Sequence, residues 1–298
     1  MTRRRAAIAI TPALLRRWPL PALDDQLGKV ARGTVLVVGG SEQIPGAAML
    51  AALASLRAGA GTLVIATSRN IAPHVAVAVP EARVIGVRAT VTGELAPTSA
   101  RELRDELTAS DAILVGPGMR DRRAARGVIT SCVKLNARAP VVIDAGALAA
   151  FRELRSRPAS AVLTPHAGEM ASLLDLEPED VLAKPQDLAL EAARELGAIV
   201  VLKGAVTYVA APDGACYANT AGNLGLGTCG SGDTLSGVIA GLAARGATIL
   251  QAAVWGVHVH AKAGEVLARD IGPLGYLARE LLAEIPGLVG SYAKRRHR

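Results

Sequence analysis

Short apolar runs rich in β-branched residues recur along the first two thirds of the chain, at 34–38, 62–66, 111–115, 141–143, 161–163 and 199–202, with helical segments between them. This alternation predicts β-α-β units: a mostly parallel sheet covered by helices on both faces. Both sides of each strand are then buried, which is why the runs are continuous rather than alternating. Several runs end directly in a polar or glycine-containing turn: V-V-G-G-S, L-V-G-P-G, V-I-D-A-G, V-L-T-P-H and V-L-K-G. Ligands of open α/β sheets sit outside the carboxyl ends of strands, so these five turns are candidate walls of one site. Beyond Lys203 the segment T-Y-V-A-A-P-D-G-A-C-Y-A reads as a hairpin about a P-D-G turn. From Asp233 onward the pattern is helical, and Pro286 with Gly287 is expected to break the last helix. With no repeat, linker or shift in composition, residues 1–298 read as a single domain.

Composition supports a large core. Apolar residues make up 51% of the 298, yet the aromatics number one Phe, two Trp and four Tyr. The interior must therefore be built from Ala, Val, Leu and Ile around many glycines. The net charge of +7 lies at the ends, in Arg3, Arg4 and Arg5 and in Lys294, Arg295, Arg296 and Arg298, and the charges between them balance. These runs read as frayed, flexible basic termini. With so few rings to stack on bases, no nucleic-acid partner is expected. Three widely spaced cysteines form neither a disulfide framework nor a zinc motif, which fits a reducing cytoplasm. The start has too short an apolar stretch for a signal peptide, and no run approaches the roughly 20 residues of a spanning helix.

The strongest chemical signal is N-T-A-G-N-L-G-L-G-T-C-G-S-G-D-T-L-S-G at 219–237. Its glycines free backbone N–H groups to converge. A helix starting at Asp233 would add the positive end of its dipole, giving a site for phosphate or a developing anion. Asp233 then stands at the mouth of that site, able to take a proton from a hydroxyl; it could equally cap the helix. Gly225, Gly227 and Gly230 also satisfy G-x-G-x-x-G, but a hairpin precedes them and a long helical region follows, not the β-α-β unit that motif opens. A phosphate loop of the G-x-x-x-x-G-K-[ST] type is absent.

Other candidates have plainer alternatives. His166 and Glu169 alone make a poor metal site, and His166 reads better as a donor to an anionic or carbonyl ligand, or as a surface histidine. Asp144 ends an apolar strand, where it could hold water around a nucleotide-bound Mg²⁺ or cap the next helix. Lys203 could meet phosphate oxygens or bridge to a carboxylate. His258 and His260, two apart on a helix, are assigned to packing or solvent.

Taken together these segments resemble the ADP/ATP-dependent NAD(P)H-hydrate dehydratase family of the ribokinase-like superfamily. The matching pieces are V-V-G-G-S with P-G-A-A-M-L-A-A-L-A-S-L-R-A-G-A-G, then V-G-P-G, V-I-D-A-G-A-L, L-T-P-H-A-G-E, V-L-K-G-A-V-T, G-S-G-D-T-L-S-G and A-R-E-L-L-A-E-I-P, in the family's order over nearly the whole chain. The resemblance implies a ribokinase-like three-layer sandwich and a repair reaction. Water added to the nicotinamide ring of NADH or NADPH is removed after phosphoryl transfer to the ring hydroxyl, with ADP (or ATP) as co-substrate, Mg²⁺ as cofactor, and AMP and phosphate as products when ADP is used. It implies Asp233 as the catalytic residue, with Ala47, Gly118, His166 and Asp233 on the hydrated dinucleotide. Lys203, Gly204, Ala205, Val206, Thr207, Gly230, Ser231 and Gly232 fall on the nucleotide side. It also implies a cytoplasmic homotetramer.

The chain departs from the family pattern at three places. Gly146 stands where a second Asp is common, Cys229 where Gly is common, and Ile44-Pro45 where an aromatic residue is common. Some relatives carry an N-terminal epimerase half, for which this chain is too short. Two other readings share the glycine-rich loop: a small-molecule kinase of the hydroxyethylthiazole-kinase type, and a protein that binds nucleotide without turnover.

Overall fold

The computed structural model describes residues 6–22 and 28–292; the basic runs read above as frayed ends lie outside the described residues. One ten-stranded sheet organises the chain. Its strands are β1 (Ile8–Ala9), β2 (Thr34–Val38), β3 (Thr62–Ser68), β4 (Ala82–Val87), β5 (Ala112–Val115), β6 (Val141–Ile143), β7 (Ala161–Leu163), β8 (Ile199–Leu202), β9 (Thr207–Ala210) and β10 (Cys216–Asn219). They lie in the order β1-β10-β9-β8-β7-β6-β5-β2-β3-β4, and β9 alone runs against the rest. The chain moves outward from β2 to β4, returns to place β5 on the other side of β2, and proceeds outward again. The switch of direction between β2 and β5 is where an open α/β sheet forms its crevice.

Successive residues of each strand feed two separate cores. Val35, Val37, Leu114 and Val201 pack under the helices Pro45–Arg57, Ser231–Ala244 and Ile249–Asp270. Leu36, Val38, Val115 and Val200 pack under Arg122–Leu135, Ala167–Leu174 and Pro185–Leu196 on the opposite face. The helix that carries Asp233 crosses Pro45–Arg57 at unusually close range. A Cβ at Gly237 would lie 2.1 Å from the Ala51 carbonyl oxygen, and one at Gly241 2.2 Å from that of Ser55. Small residues four apart on both helices thus fix how the helix carrying Asp233 lies on the sheet.

The expected parallel sheet and the 207–218 hairpin are present. In the hairpin Asp213 accepts the Ala215 amide at 2.9 Å, and Gly214 adopts φ +92°. Three expectations need correction. β1 and β4 were not foreseen: β1 has only two residues, and β4 is an edge strand interrupted by Arg83 and Gly86. The helix at Asp233 starts at Ser231, with Gly230 at the N-cap. Pro286 and Gly287 do not end the last helix, which runs Ala278–Tyr292. Proline costs that helix one hydrogen bond, but Leu281, Leu282, Ile285 and Val289 stay buried along one face, and this packing holds the helix together across the gap.

Candidate active site

Three of the five turns read from the sequence, V-I-D-A-G, V-L-T-P-H and V-L-K-G, meet at the carboxyl edge of the sheet in a charged cluster. Asp144 leaves β6 with its carboxylate 2% exposed; its Oδ1 accepts the Thr164 hydroxyl at 2.7 Å and lies 3.4 Å from Lys203 Nζ. It occupies the N-cap position of the turn that follows, but its side chain caps nothing there. Lys203, held at the end of β8 by a bond from its amide to the Pro165 carbonyl, also lies 3.6 Å from Glu169 Oε2. Glu169 accepts the His166 amide at 2.8 Å, while His166 Nδ1 accepts the amides of Gly168 and Glu169. This reciprocal cap starts the Ala167–Leu174 helix and fixes the imidazole tautomer. Nδ1 is an acceptor twice over, so the proton sits on Nε2, which lies 3.6 Å from Glu169 Oε2, beyond hydrogen-bonding distance.

Asp233 is in the first turn of its helix. It is therefore not the N-cap, although its carboxylate meets its own first-turn amide. Gly230 adopts φ +87°, and a Cβ there would strike Leu50 at 2.5 Å. The Ser231 amide is taken by the Thr228 carbonyl, whereas no acceptor within the described residues takes the amide of Gly230 or Gly232. These amides and the helix dipole make an anion site. Gly232 also leaves room for the ammonium: its absent Cβ would be 3.1 Å from Lys203 Nζ.

Electrostatics single out Asp233. Burial, then repulsion from Asp144 and, more weakly, Glu169, push its carboxyl up to about 7 against the pull of Lys203. For Lys203 burial works against the charge, but the carboxylates of Asp144, Glu169 and Asp233 outweigh it and its pKa is raised.

Beside this cluster opens a cavity of about 640 Å³. Its walls take His166, Lys203, Gly204, Ala205, Thr207, Ser231 and Gly232 from the residues expected on sequence grounds. They leave out Val206, Gly230 and Asp233, and Ala47 and Gly118 lie farther along the sheet edge. The rest of the wall, which includes Asn219, Asn223, Leu226, Thr228, Val257 and His260, was not among the expected site residues. His260 had been assigned to packing or solvent. Its Nε2 lies 3.1 Å from the Ser231 hydroxyl, and burial lowers its pKa to about 4, so it is a neutral partner of the anion loop. His258 is buried too, with Nδ1 3.0 Å from Asn219 Oδ1. A polar residue inside the apolar run V-W-G-V-H-V-H-A was the available signal.

Gly118 and Ala47 meet at the switch point. A Cβ at Gly118 would lie 2.4 Å from the Ile44 carbonyl oxygen and 3.2 Å from the Ala47 Cβ, and the Gly40 amide donates to Pro117 at 2.7 Å. Gly146 has a local explanation. A Cβ there would lie 2.0 Å from the Met119 carbonyl oxygen, so no aspartate fits this backbone. Cys229 is exposed on the loop.

An anion site at a helix start, a carboxylate of raised pKa and a cavity along the carboxyl edge of a parallel sheet define an α/β phosphoryl-handling protein of the ribokinase-like kind. The family model for NAD(P)H-hydrate dehydratase matches residues 35–287. The chain is 47% identical over 281 residues to an ADP-dependent (S)-NAD(P)H-hydrate dehydratase of Xanthomonas campestris, covering 94% of this chain and 95% of that protein. It is 37% identical to a bifunctional NAD(P)H-hydrate repair enzyme of Moorella thermoacetica, of which it spans 52%. An ADP/ATP-dependent NAD(P)H-hydrate dehydratase from Bacillus subtilis, crystallised with ATP and Mg²⁺, superposes with a TM-score of 0.82 at 32% identity, covering 96% of this chain and 99% of that one. The chain belongs to the NAD(P)H-hydrate dehydratase family. A hydroxyethylthiazole kinase of Pyrococcus horikoshii shares the fold, with a TM-score of 0.61 at 20% identity.

Proposed function

We propose that this chain dehydrates the hydrated forms of NADH and NADPH at the expense of a nucleotide phosphate, with ADP as donor. The observation that carries this reading is the Asp233 carboxyl, raised to about 7 at the start of a helix whose glycine amides have no internal acceptor. Asp233 takes the proton of the ring hydroxyl as its oxygen bonds to the β-phosphorus of ADP; the phosphorus–oxygen bond to AMP breaks, and the amides of Gly230 and Gly232 steady the phosphoryl group in transit. The ring nitrogen's lone pair then expels phosphate, and loss of the C5 proton to water restores the reduced nicotinamide. In sum, hydrate and ADP give NAD(P)H, AMP and phosphate.

His166 Nε2–H and the Gly118–Ala47 contact hold the dinucleotide. Lys203 to Thr207, Ser231 and Gly232 hold the nucleotide phosphates. No group of three metal-ligating side chains is found among the described residues. The donor set nonetheless fits a Mg²⁺ ion carried largely by nucleotide phosphates, because Asp144, Glu169 and Asp233 face a single ammonium and leave an excess of negative charge. Such an ion supplies charge neutralisation on the phosphates. The chain acts as one domain in a cytoplasmic homotetramer; among the described residues, no helix is long and apolar enough to cross a membrane.

The test incubates hydrated NADH and hydrated NADPH with ADP and with ATP, following the near-ultraviolet absorbance of the reduced ring. Return of that absorbance with stoichiometric AMP supports the reading. A stable phosphoester of the hydrate, or no turnover, refutes it.

A further inference from the structure

The mechanism leaves unused a second cavity, of about 520 Å³, on the far side of the Gly118–Ala47 contact from the nucleotide cavity. Both chain segments that leave this contact run into it. Gly118 continues through Met119 to Arg120, and Ala47 leads back through Ile44 to Gln43. The two are tied at the cavity by Arg120 Nη1 donating to Gln43 Oε1 at 2.5 Å. Glu94, 8% exposed, accepts the Arg120 amide at 3.0 Å and lies 3.9 Å from its Nε. The Arg120 guanidinium is thus held from two sides with 61% of its side chain exposed.

Arg122 and Arg123 line the same cavity. Arg122 lies 3.3 Å from Glu153, and the Asp121 carboxylate is engaged by the Arg123 amide at 2.7 Å. The exposed Arg123 guanidinium has no acidic partner among the described residues. Three guanidinium groups around one cavity, one braced and one unpaired, form a receptor for a phosphate dianion.

The order of sites along the sheet edge says which phosphate. The nucleotide cavity lies over β7 to β10, Asp144 and Lys203 over β6 and β8, the Gly118–Ala47 contact over β5 and β2, and the arginines beyond it. A dinucleotide with its ring hydroxyl at Asp233 and its ring end against Gly118 and Ala47 must extend its adenosine half away from the nucleotide cavity, toward the arginines. We propose that Arg123, with Arg120 and Arg122, binds the 2′-phosphate of hydrated NADPH and so is the element of this site that distinguishes hydrated NADPH from hydrated NADH. The inference rests on the function proposed above for the orientation of the dinucleotide.

Arg123 packs on nothing it must hold, so Arg123→Ala leaves the fold intact. At low ionic strength this substitution raises KM for hydrated NADPH about tenfold, the scale of one charge-assisted hydrogen bond to phosphate, and KM for hydrated NADH at most about twofold. Arg123→Lys recovers part of the loss, and added salt narrows the gap in the unsubstituted protein. Calorimetric binding of NADPH against NADH to both proteins gives the same contrast without turnover. If the chain binds NADPH selectively through Arg123 but dehydrates neither hydrate, the function fails and this site stands. Equal losses for both dinucleotides, or no loss for either, overturn it.

Discussion

Asp233→Asn separates catalysis from stability, because the same burial that prepares the base weakens the fold. The substitution keeps the shape of the side chain and removes its charge and its proton-accepting lone pair. Turnover should fall by roughly 10²–10⁴-fold, the scale of losing a general base. Stability should move the other way. Between the ordinary carboxylate value of 3.8 and a folded value of about 7, the folded protein binds a proton that the unfolded chain has released. Stability from this group is therefore complete below 3.8, declines as pH rises through that window, and is gone above about 7. The shift corresponds to about 4 kcal/mol, an upper bound because Asn also forfeits the attraction of Lys203. Asn does not titrate, so its melting-temperature advantage over the parent should be small near pH 4, grow to neutrality and then level off. Thermal scans of both proteins across this range, beside the pH–rate profile of the parent, check it. A rate profile with its acid limb near 4, or identical melting curves at pH 8, would refute the assignment of the base.

Three further outcomes follow from the same geometry. Lys203→Gln removes the ammonium whose charge pulls the Asp233 pKa down, so the acid limb of the pH–rate profile should move to higher pH while the KM for ADP rises; an unmoved limb counts against the coupling. Gly232→Ala brings a methyl group to 3.1 Å from Lys203 Nζ, and isothermal titration should show ADP affinity weakened about tenfold with the fold intact. Gly237→Val sets branched carbons against the Ala51 carbonyl, and denaturant unfolding should show a loss of roughly 2–4 kcal/mol, since neither backbone can yield without parting the two helices.

Much of this site was legible because its parts lie at the ends of strands. The apolar runs located β2, β3 and β5 to β8, and the turns after three of them held Asp144, His166 and Lys203, whereas Gly118 and Ala47 were named only by the family resemblance. The glycine spacing located the anion loop, although it placed the helix start two residues late. What stayed hidden depends on residues far apart in the chain. Thr164 cannot be linked to Asp144 from the sequence, nor His260 to Ser231, because each pairing exists only once neighbouring strands or helices are side by side. β4 was hidden because Arg83 and Gly86 interrupt its apolar pattern at an exposed edge. Pro286 misled because its local rule is correct for an isolated helix and is outweighed by tertiary packing.

Three carboxylates share the space around Lys203, and their partners decide which can act as the base. Asp144 has the Thr164 hydroxyl and the ammonium on Oδ1. Glu169 has the His166 amide and the same ammonium on Oε2. Among the described residues no side-chain donor lies within hydrogen-bonding distance of the Asp233 carboxylate, which meets only its own backbone amide and keeps lone pairs open to a proton. Burial first, then the neighbouring carboxylates of Asp144 and, more weakly, Glu169 raise the group standing at the start of the anion-binding helix, and thus set Asp233 apart.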